Sequence, residues 1–359
     1  MRIALDEARK GQGRTAPNPC VGAVVVREGR IVGRGWHQRA GTPHAEVHAL
    51  RDAGNLARDA TLYVTLEPCN HTGRTPPCTR AILAAGITRV VVGMPDPNPT
   101  VAGGGNAFLA AQGIEVTAGV LEKECTAINR PFAKHITTGL PWVAMKAGMS
   151  LDGRISYGPG MGGRITGEAS GRYTHGLRNA MDAILIGIGT ALIDDPSLTT
   201  RLPQTETARD PLRVVLDSRL RLPPTAKLLT GMSDALTWIF CRLDASRAAE
   251  EKLTGAGAVI HRVPALSDGR LDCRAVMRRL GQAGVTSVLV EGGAGVHASL
   301  LRDRQVDEAY LFIAPLFIGG QGTPLVAGDF HVLAGSFPRL HDVEVQQLDD
   351  DVLIHGLIG

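Results

Sequence analysis

One histidine and two cysteines constrain this chain more than any other feature. His44-Ala45-Glu46 opens a helical segment, Leu66-Glu67-Pro68-Cys69 closes a strand, and Cys78 starts the next helix. One imidazole and two thiolates suit a catalytic zinc site, because three protein ligands leave a fourth position for water. Zinc lowers the pKa of such water toward neutrality. Glu46, two residues from the histidine, is no ligand and is free to move protons. Helix N-termini beneath the cysteines favour their thiolate forms.

Around this triad the apolar pattern alternates strand and helix. Helices are predicted over residues 2–10, 45–53, 79–85, 107–112 and 121–138. Val21–Arg27 and Arg30–His37 form a hairpin, and strands cover 61–66, 89–93 and 115–120. That alternation indicates an α/β domain. Thr138-Gly139-Leu140-Pro141 breaks the pattern, so the expected domains are 1–139 and 140–359. The second domain is again α/β, with strands at 142–147, 183–188, 213–216, 236–240, 258–261, 287–290 and 308–313. Helices are expected near 168–180, 245–254, 273–283 and 295–303, and a hairpin over 343–347 and 352–355 closes the chain. A length of 359 residues fits two domains.

Composition narrows the function. The net charge of +3 and the 4% aromatic content offer neither a strong basic surface nor a stacking platform, so no nucleic-acid partner is expected. No apolar run approaches membrane-spanning length and no signal peptide is read at the start. Six cysteines in so long a chain are no disulfide framework. The expected location is the cytoplasm.

His-x-Glu followed by Pro-Cys and a second cysteine is the zinc nucleobase-deaminase signature, with one departure: eight residues, not two, separate Cys69 from Cys78. Asn18, in Ala16-Pro17-Asn18-Pro19-Cys20-Val21-Gly22, reads equally as a turn residue or as a partner for a heterocyclic amide edge. Cys20 reads as a small apolar residue.

The second domain opens on Met145-Lys146-Ala147-Gly148, where pattern alone makes Lys146 an edge or surface lysine. Arg178 and Arg201 read equally as surface ion pairs or as a phosphate clamp. Gly293, Gly295 and Ala298 fit G-x-G-x-x-A between strand and helix, a turn that offers N–H groups to a pyrophosphate. No acidic residue follows at the ribose-binding distance, which argues against an ordinary dinucleotide fold.

PNPCVGAVVV, HAE and EPCNHTGRTPPC resemble the deaminase half of the bifunctional riboflavin-biosynthesis family. Met145–Gly153, DAILIGIGT, DDPSLTTR, LDS and VEGGA resemble its reductase half, so the resemblance spans nearly the whole chain. It implies an N-terminal cytidine-deaminase-like domain and a C-terminal dihydrofolate-reductase-like domain. The implied reactions are hydrolytic deamination of a diaminopyrimidinone ribosylamine 5′-phosphate, then NADPH-dependent reduction of its ribosyl chain. The resemblance makes His44, Cys69 and Cys78 zinc ligands and Glu46 the proton donor, with Asn18, His37 and His71 around the pyrimidine. It implies NADPH contacts at Gly148, Arg164, Thr190, Asp194, Ser218, Gly293, Ala294, Gly295, Val296, His297, Ala298 and Ser299. Substrate contacts are implied at Lys146, Gly162, Arg178, Leu198, Arg201 and Glu291. Gly162 stands where a serine is common in the family, and Arg164 where an aromatic residue is usual. Lys146 and Asp194 are the candidate proton donors for reduction, and Arg164 is a candidate for the cofactor's 2′-phosphate. A homo-oligomer is expected. Two other readings use the same residues: a nucleic-acid base deaminase, and a structural zinc scaffold without turnover.

Overall fold

The computed structural model describes residues 1–72, 76–99, 104–202, 208–328 and 337–359. Residues 73–75 of the segment between the two cysteines lie outside that range. The chain divides into two compact units, Met1–Leu140 and Pro141–Gly359.

The first unit runs α1 (Arg2–Arg9), β1 (Gly22–Arg27), β2 (Arg30–Trp36), α2 (Ala45–Ala53), β3 (Thr61–Leu66), α3 (Cys78–Ala84), β4 (Arg89–Met94), α4 (Gly105–Ala111), β5 (Glu115–Thr117) and α5 (Glu122–Thr138). Its sheet has the order β2-β1-β3-β4-β5. The hairpin β1–β2 is antiparallel, β1 is antiparallel to β3, and β3, β4 and β5 are parallel. Leu62, Val64, Val90, Val92 and Ile82 form the centre of its core. β2 presses closely on α2: a Cβ at Gly35 would stand 2.4 Å from the Ala45 carbonyl oxygen. Only glycine allows that approach, and it seats the helix that carries His44 and Glu46.

The second unit runs β6 (Trp142–Ser150), α6 (Glu168–Ala180), β7 (Ala183–Gly187), α7 (Ile188–Asp194), β8 (Leu212–Leu216), α8 (Lys227–Thr230), β9 (Thr237–Arg242), α9 (Arg247–Gly255), β10 (Ala258–Val263), α10 (Cys273–Gln282), β11 (Ser287–Val290), α11 (Ala294–Arg302), β12 (Glu308–Ala314), β13 (Leu340–Leu348) and β14 (Asp351–Ile358). The described strands form one sheet, β10-β9-β8-β7-β11-β6-β12-β14-β13. Strands β10 through β12 are parallel, and the tail hairpin β13–β14 adds antiparallel to β12. β11 is buried along its whole length, as a central parallel strand covered on both faces is, and so reads as an apolar run.

Both units are α/β, as expected. The sequence pattern missed α7. It reads Ala183–Ile188 as one strand, whereas the strand ends at Gly187 and a helix starts at the next residue.

Candidate active sites

The first site lies at one end of the sheet of the N-terminal unit. His44 is the N-cap of α2, Cys78 the first residue of α3, and Cys69 follows β3 by three residues. His44 Nδ1 stands 3.2 Å from Cys78 Sγ and 3.5 Å from Cys69 Sγ. In a tetrahedral zinc site with Zn–S of about 2.3 Å and Zn–N of about 2.0 Å, the donor atoms stand roughly 3.5 Å apart. One nitrogen and two sulfurs at these separations therefore fit zinc, and this is the one His/Cys/Asp/Glu group of metal-binding geometry among the described residues. The electrostatics agree. Cys69 is drawn down to about 4 by its contact with the Cys78 thiol, with His44 adding to the effect, while Cys78 is pushed up by the same contact and by burial. Two thiols that share one proton beside an imidazole form a site that a dication completes.

Glu46 is buried, at 3% exposure. Burial raises its carboxyl above the ordinary range, against the opposing pull of His44. Burial lowers the pKa of the equally buried His37, against the Pro43 carbonyl and with help from the nearby His44 and His48. Its Nδ1 meets the Pro43 carbonyl at 3.2 Å and must donate to it. Nε2 therefore accepts from Asn18 Nδ2 at 3.0 Å, which leaves Asn18 Oδ1 as an acceptor for a ligand N–H. Asn129 of α5 fixes this turn: its Oδ1 accepts the Cys20 N–H at 2.8 Å and its Nδ2 donates to the Cys20 carbonyl at 3.0 Å.

A cavity of about 450 Å³ collects Asn18, His37, His44, Glu46, Cys69 and His71. It also holds Glu67, Asp96 and Asn98, which the sequence reading omitted. Glu67 accepts the Asn106 N–H at 3.0 Å and so ties the end of β3 to α4. The signal for Asp96 and Asn98 was Pro95-Asp96-Pro97-Asn98-Pro99, directly after a parallel strand. Ligand sites gather at such carboxyl ends.

The second site lies where β6, β7, β8 and β11 end. A cavity of about 670 Å³ is lined by Lys146, Gly148, Gly162, Arg164, Thr190, Asp194, Ser218, Glu291, the Gly293–His297 turn and Ser299. Ala298 is buried behind that turn. Gly292 and Gly293 both adopt positive φ (121° and 76°), and a Cβ at Gly293 would meet Thr190 Oγ1 at 3.3 Å. The glycines let the chain enter α11 with its first N–H groups uncapped by any side chain.

Lys146 is no edge or surface lysine. β6 lies between β11 and β12, and the Lys146 ammonium stands 5.5 Å from the Phe312 ring centroid. Burial lowers its pKa, while Glu291 opposes that shift. Arg178 and Arg201 do not form a free clamp. Arg178 donates to both oxygens of Glu291, at 2.6 and 2.7 Å, and to the Thr199 carbonyl at 2.9 Å. Arg201 is exposed, and its N–H donates to His175 Nδ1 at 3.1 Å. Leu198 is 3% exposed and packs with Ile186 and Val215, so its side chain belongs to the core. Neither arginine nor Leu198 lines the cavity. Arg164 is also engaged: Nε donates to the Thr166 carbonyl at 2.9 Å and Nη2 to the Gly167 carbonyl. At Gly162 a Cβ would stand 2.0 Å from Asp194 Oδ1. The carboxylate fills the space a serine side chain would need, which accounts for the glycine.

Comparison with known proteins joins the two sites. Residues 1–94 match the family model of the cytidine and deoxycytidylate deaminase zinc-binding region, and residues 141–354 that of the RibD C-terminal domain. The riboflavin biosynthesis protein RibD of Bacillus amyloliquefaciens is 42% identical over 358 residues, covering 99% of this chain and 95% of its own. The solved structure of Acinetobacter baumannii RibD aligns with TM-score 0.86 at 36% identity, over 100% of this chain and 97% of that one. A Thermotoga maritima structure, described as a diaminohydroxyphosphoribosylaminopyrimidine deaminase/5-amino-6-(5-phosphoribosylamino)uracil reductase, aligns with TM-score 0.85 at 35% identity over the same shares.

Proposed function

The chain belongs to the RibD family of riboflavin biosynthesis proteins, and from that premise we propose how its residues divide two reactions. It is a bifunctional enzyme. The N-terminal domain deaminates a diaminopyrimidinone ribosylamine 5′-phosphate, and the C-terminal domain reduces the ribosyl chain of the product to ribityl. The observation that carries the first assignment is the His44, Cys69 and Cys78 donor set beside a buried Glu46.

His44, Cys69 and Cys78 hold zinc, which when bound supplies the Lewis acidity that activates water at neutral pH. Glu46 moves protons, first to a ring nitrogen of the substrate and then to the departing ammonia. A carboxyl raised by burial is matched to that exchange. Asn18 Oδ1 accepts from the pyrimidine edge, oriented by His37, while His71 closes the pocket. Asp96 and Asn98 line the same wall.

In the C-terminal domain NADPH supplies hydride. The uncapped turn Gly293–Ser299, with Gly148, Thr190, Asp194, Ser218 and Arg164, holds the cofactor. A dipole end and free N–H groups suit its phosphates. Lys146 delivers the proton to the sugar oxygen, with Glu291 beside it to balance its charge. Arg178 acts through Glu291. Arg201, an exposed residue, meets the substrate phosphate, and Gly162 and the Leu198 backbone complete that side.

The same reading puts domains at 1–139 and 140–359, a homo-oligomer in the cytoplasm, and no nucleic-acid partner. No helix among the described residues is long and apolar enough to cross a membrane. Light scattering tests the oligomer. The decisive variant is Glu46→Gln. It is expected to keep its zinc and lose deamination by at least about 100-fold, with reduction intact. A variant that retains deamination contradicts the assignment.

A further inference from the structure

One wall of the reductase cavity, residues 162–166, contains no helix or strand, so something outside it must fix its shape. At one end the Asp194 carboxylate lies against Gly162, where a Cβ would stand 2.0 Å from its Oδ1. Towards the other end Thr166 packs over Gly148, where a Cβ would stand 3.2 Å from the threonine side chain. Gly167, the next residue, is the N-cap of α6 and has no side chain with which to cap it.

The C-terminal hairpin supplies the other half of a capping box, an acceptor for the N–H of Gly167 itself. Asp351 Oδ2 accepts the Gly167 N–H at 2.7 Å and the Ser170 hydroxyl at 2.5 Å. A capping-box acid takes the cap residue's N–H from the third helical position. Here that position is Ser170, and it passes the role to a carboxylate 184 residues beyond Gly167. Asp351 is 2% exposed and Ser170 1%. The hairpin that presents the carboxylate is itself seated on α6: Asp351 pairs with Leu348 across the turn, and Leu348 and Leu353 pack with Tyr173 and Leu177. Charge-assisted hydrogen bonds out of water are the strong kind.

We propose that Asp351 is a positioning residue for NADPH. It touches no ligand and acts through Gly167 to hold the 164–166 stretch of that wall against the cofactor. This rests on the reading of the cavity as the cofactor site.

The test titrates the full-length chain with NADPH by fluorescence, for the wild type, Asp351→Ala, Asp351→Asn and Ser170→Ala. Asp351→Ala is expected to weaken NADPH about tenfold, with kcat at saturating NADPH and the chain's deaminase activity unchanged. Asp351→Asn keeps an acceptor oxygen for the Gly167 N–H but loses the charge, and is expected to lose about threefold. Ser170→Ala, which leaves the Gly167 bond in place, stays within about twofold. Wild-type affinity in Asp351→Ala, or a fall in kcat at unchanged affinity, overturns the proposal. Should that variant not fold, Asp351→Asn decides, and wild-type affinity there overturns it equally. A wild-type chain that binds no NADPH instead sinks the reading of the cavity.

Discussion

Arg178 grips Glu291 with two parallel hydrogen bonds, Nε to Oε1 at 2.6 Å and Nη2 to Oε2 at 2.7 Å, where both side chains are largely withdrawn from water. Burial alone would raise the Glu291 carboxyl. The Arg178 charge and hydrogen bonds, with Lys146 beyond, win and hold it below the ordinary carboxylate range. Glu291 therefore faces the cavity as an anion beside Lys146.

Removing Arg178 strands that anion. Arg178→Ala is expected to destabilise the reductase domain by about 3–5 kcal/mol, the usual cost of breaking a buried pair. Arg178→Lys keeps the charge but not the fork, and is expected to lower reductase kcat at least about tenfold. The double change Arg178→Met with Glu291→Gln should recover stability but not reduction. Thermal melts and NADPH oxidation on the same preparations check all three.

Gly162 gives way to Asp194. Gly162→Ser is expected to displace the Asp194 carboxylate, whose Oδ1 stands 2.0 Å from the new Cβ position. The KM for NADPH should rise about fivefold, near 1 kcal/mol, with kcat retained. Steady-state kinetics with NADPH varied will show whether the glycine is a local accommodation to Asp194 or neutral.

The two halves differed in how much of them could be read from the sequence. His44, Glu46, Cys69 and Cys78 were legible because zinc chemistry demands those residue types. The alternation of β6 through β12 was legible because buried parallel strands write continuous apolar runs. Lys146 misled because one lysine in an apolar strand looks the same at an edge as beneath a ligand. The Arg178–Glu291 pair joins residues 113 apart, and Asp351 caps a helix across 184. Such pairings are set by the sheet order, which no local pattern encodes. Asp96 and Asn98 carried only a turn signal.

Stability of the reductase domain should fall with acid. His297, 1% exposed, is held down to about 4 by burial, with Lys146 adding to the effect and the Leu325 carbonyl opposing it. Between about 6.5 and 4 the unfolded chain binds the extra proton and the folded one does not, so stability is lost as pH falls through that window. From pH 6.5 to 5 the loss is about 1.6 kcal/mol. His175, also near 4 through burial and the neighbouring Arg178 and Arg201, adds a smaller contribution of the same sign. Melting temperatures at pH 7 and pH 5 are expected to differ by on the order of 5 °C, and His297→Asn should reduce that difference.

Metal removal should separate the two activities. Chelation, or Cys78→Ser, is expected to cost the zinc and at least about 100-fold in deamination. NADPH-dependent reduction of a supplied deaminated ribotide should persist. Metal content by atomic emission, read beside both activities, shows whether zinc serves the first site alone.

Both activities and their order are read together in a mass-spectrometric time course with the diaminopyrimidine ribotide, run with and without NADPH. A deaminated species is expected in both runs, and a reduced species that follows it only with NADPH. Deamination with no further change on adding NADPH would contradict the reductase assignment, and reduction ahead of deamination would contradict the order.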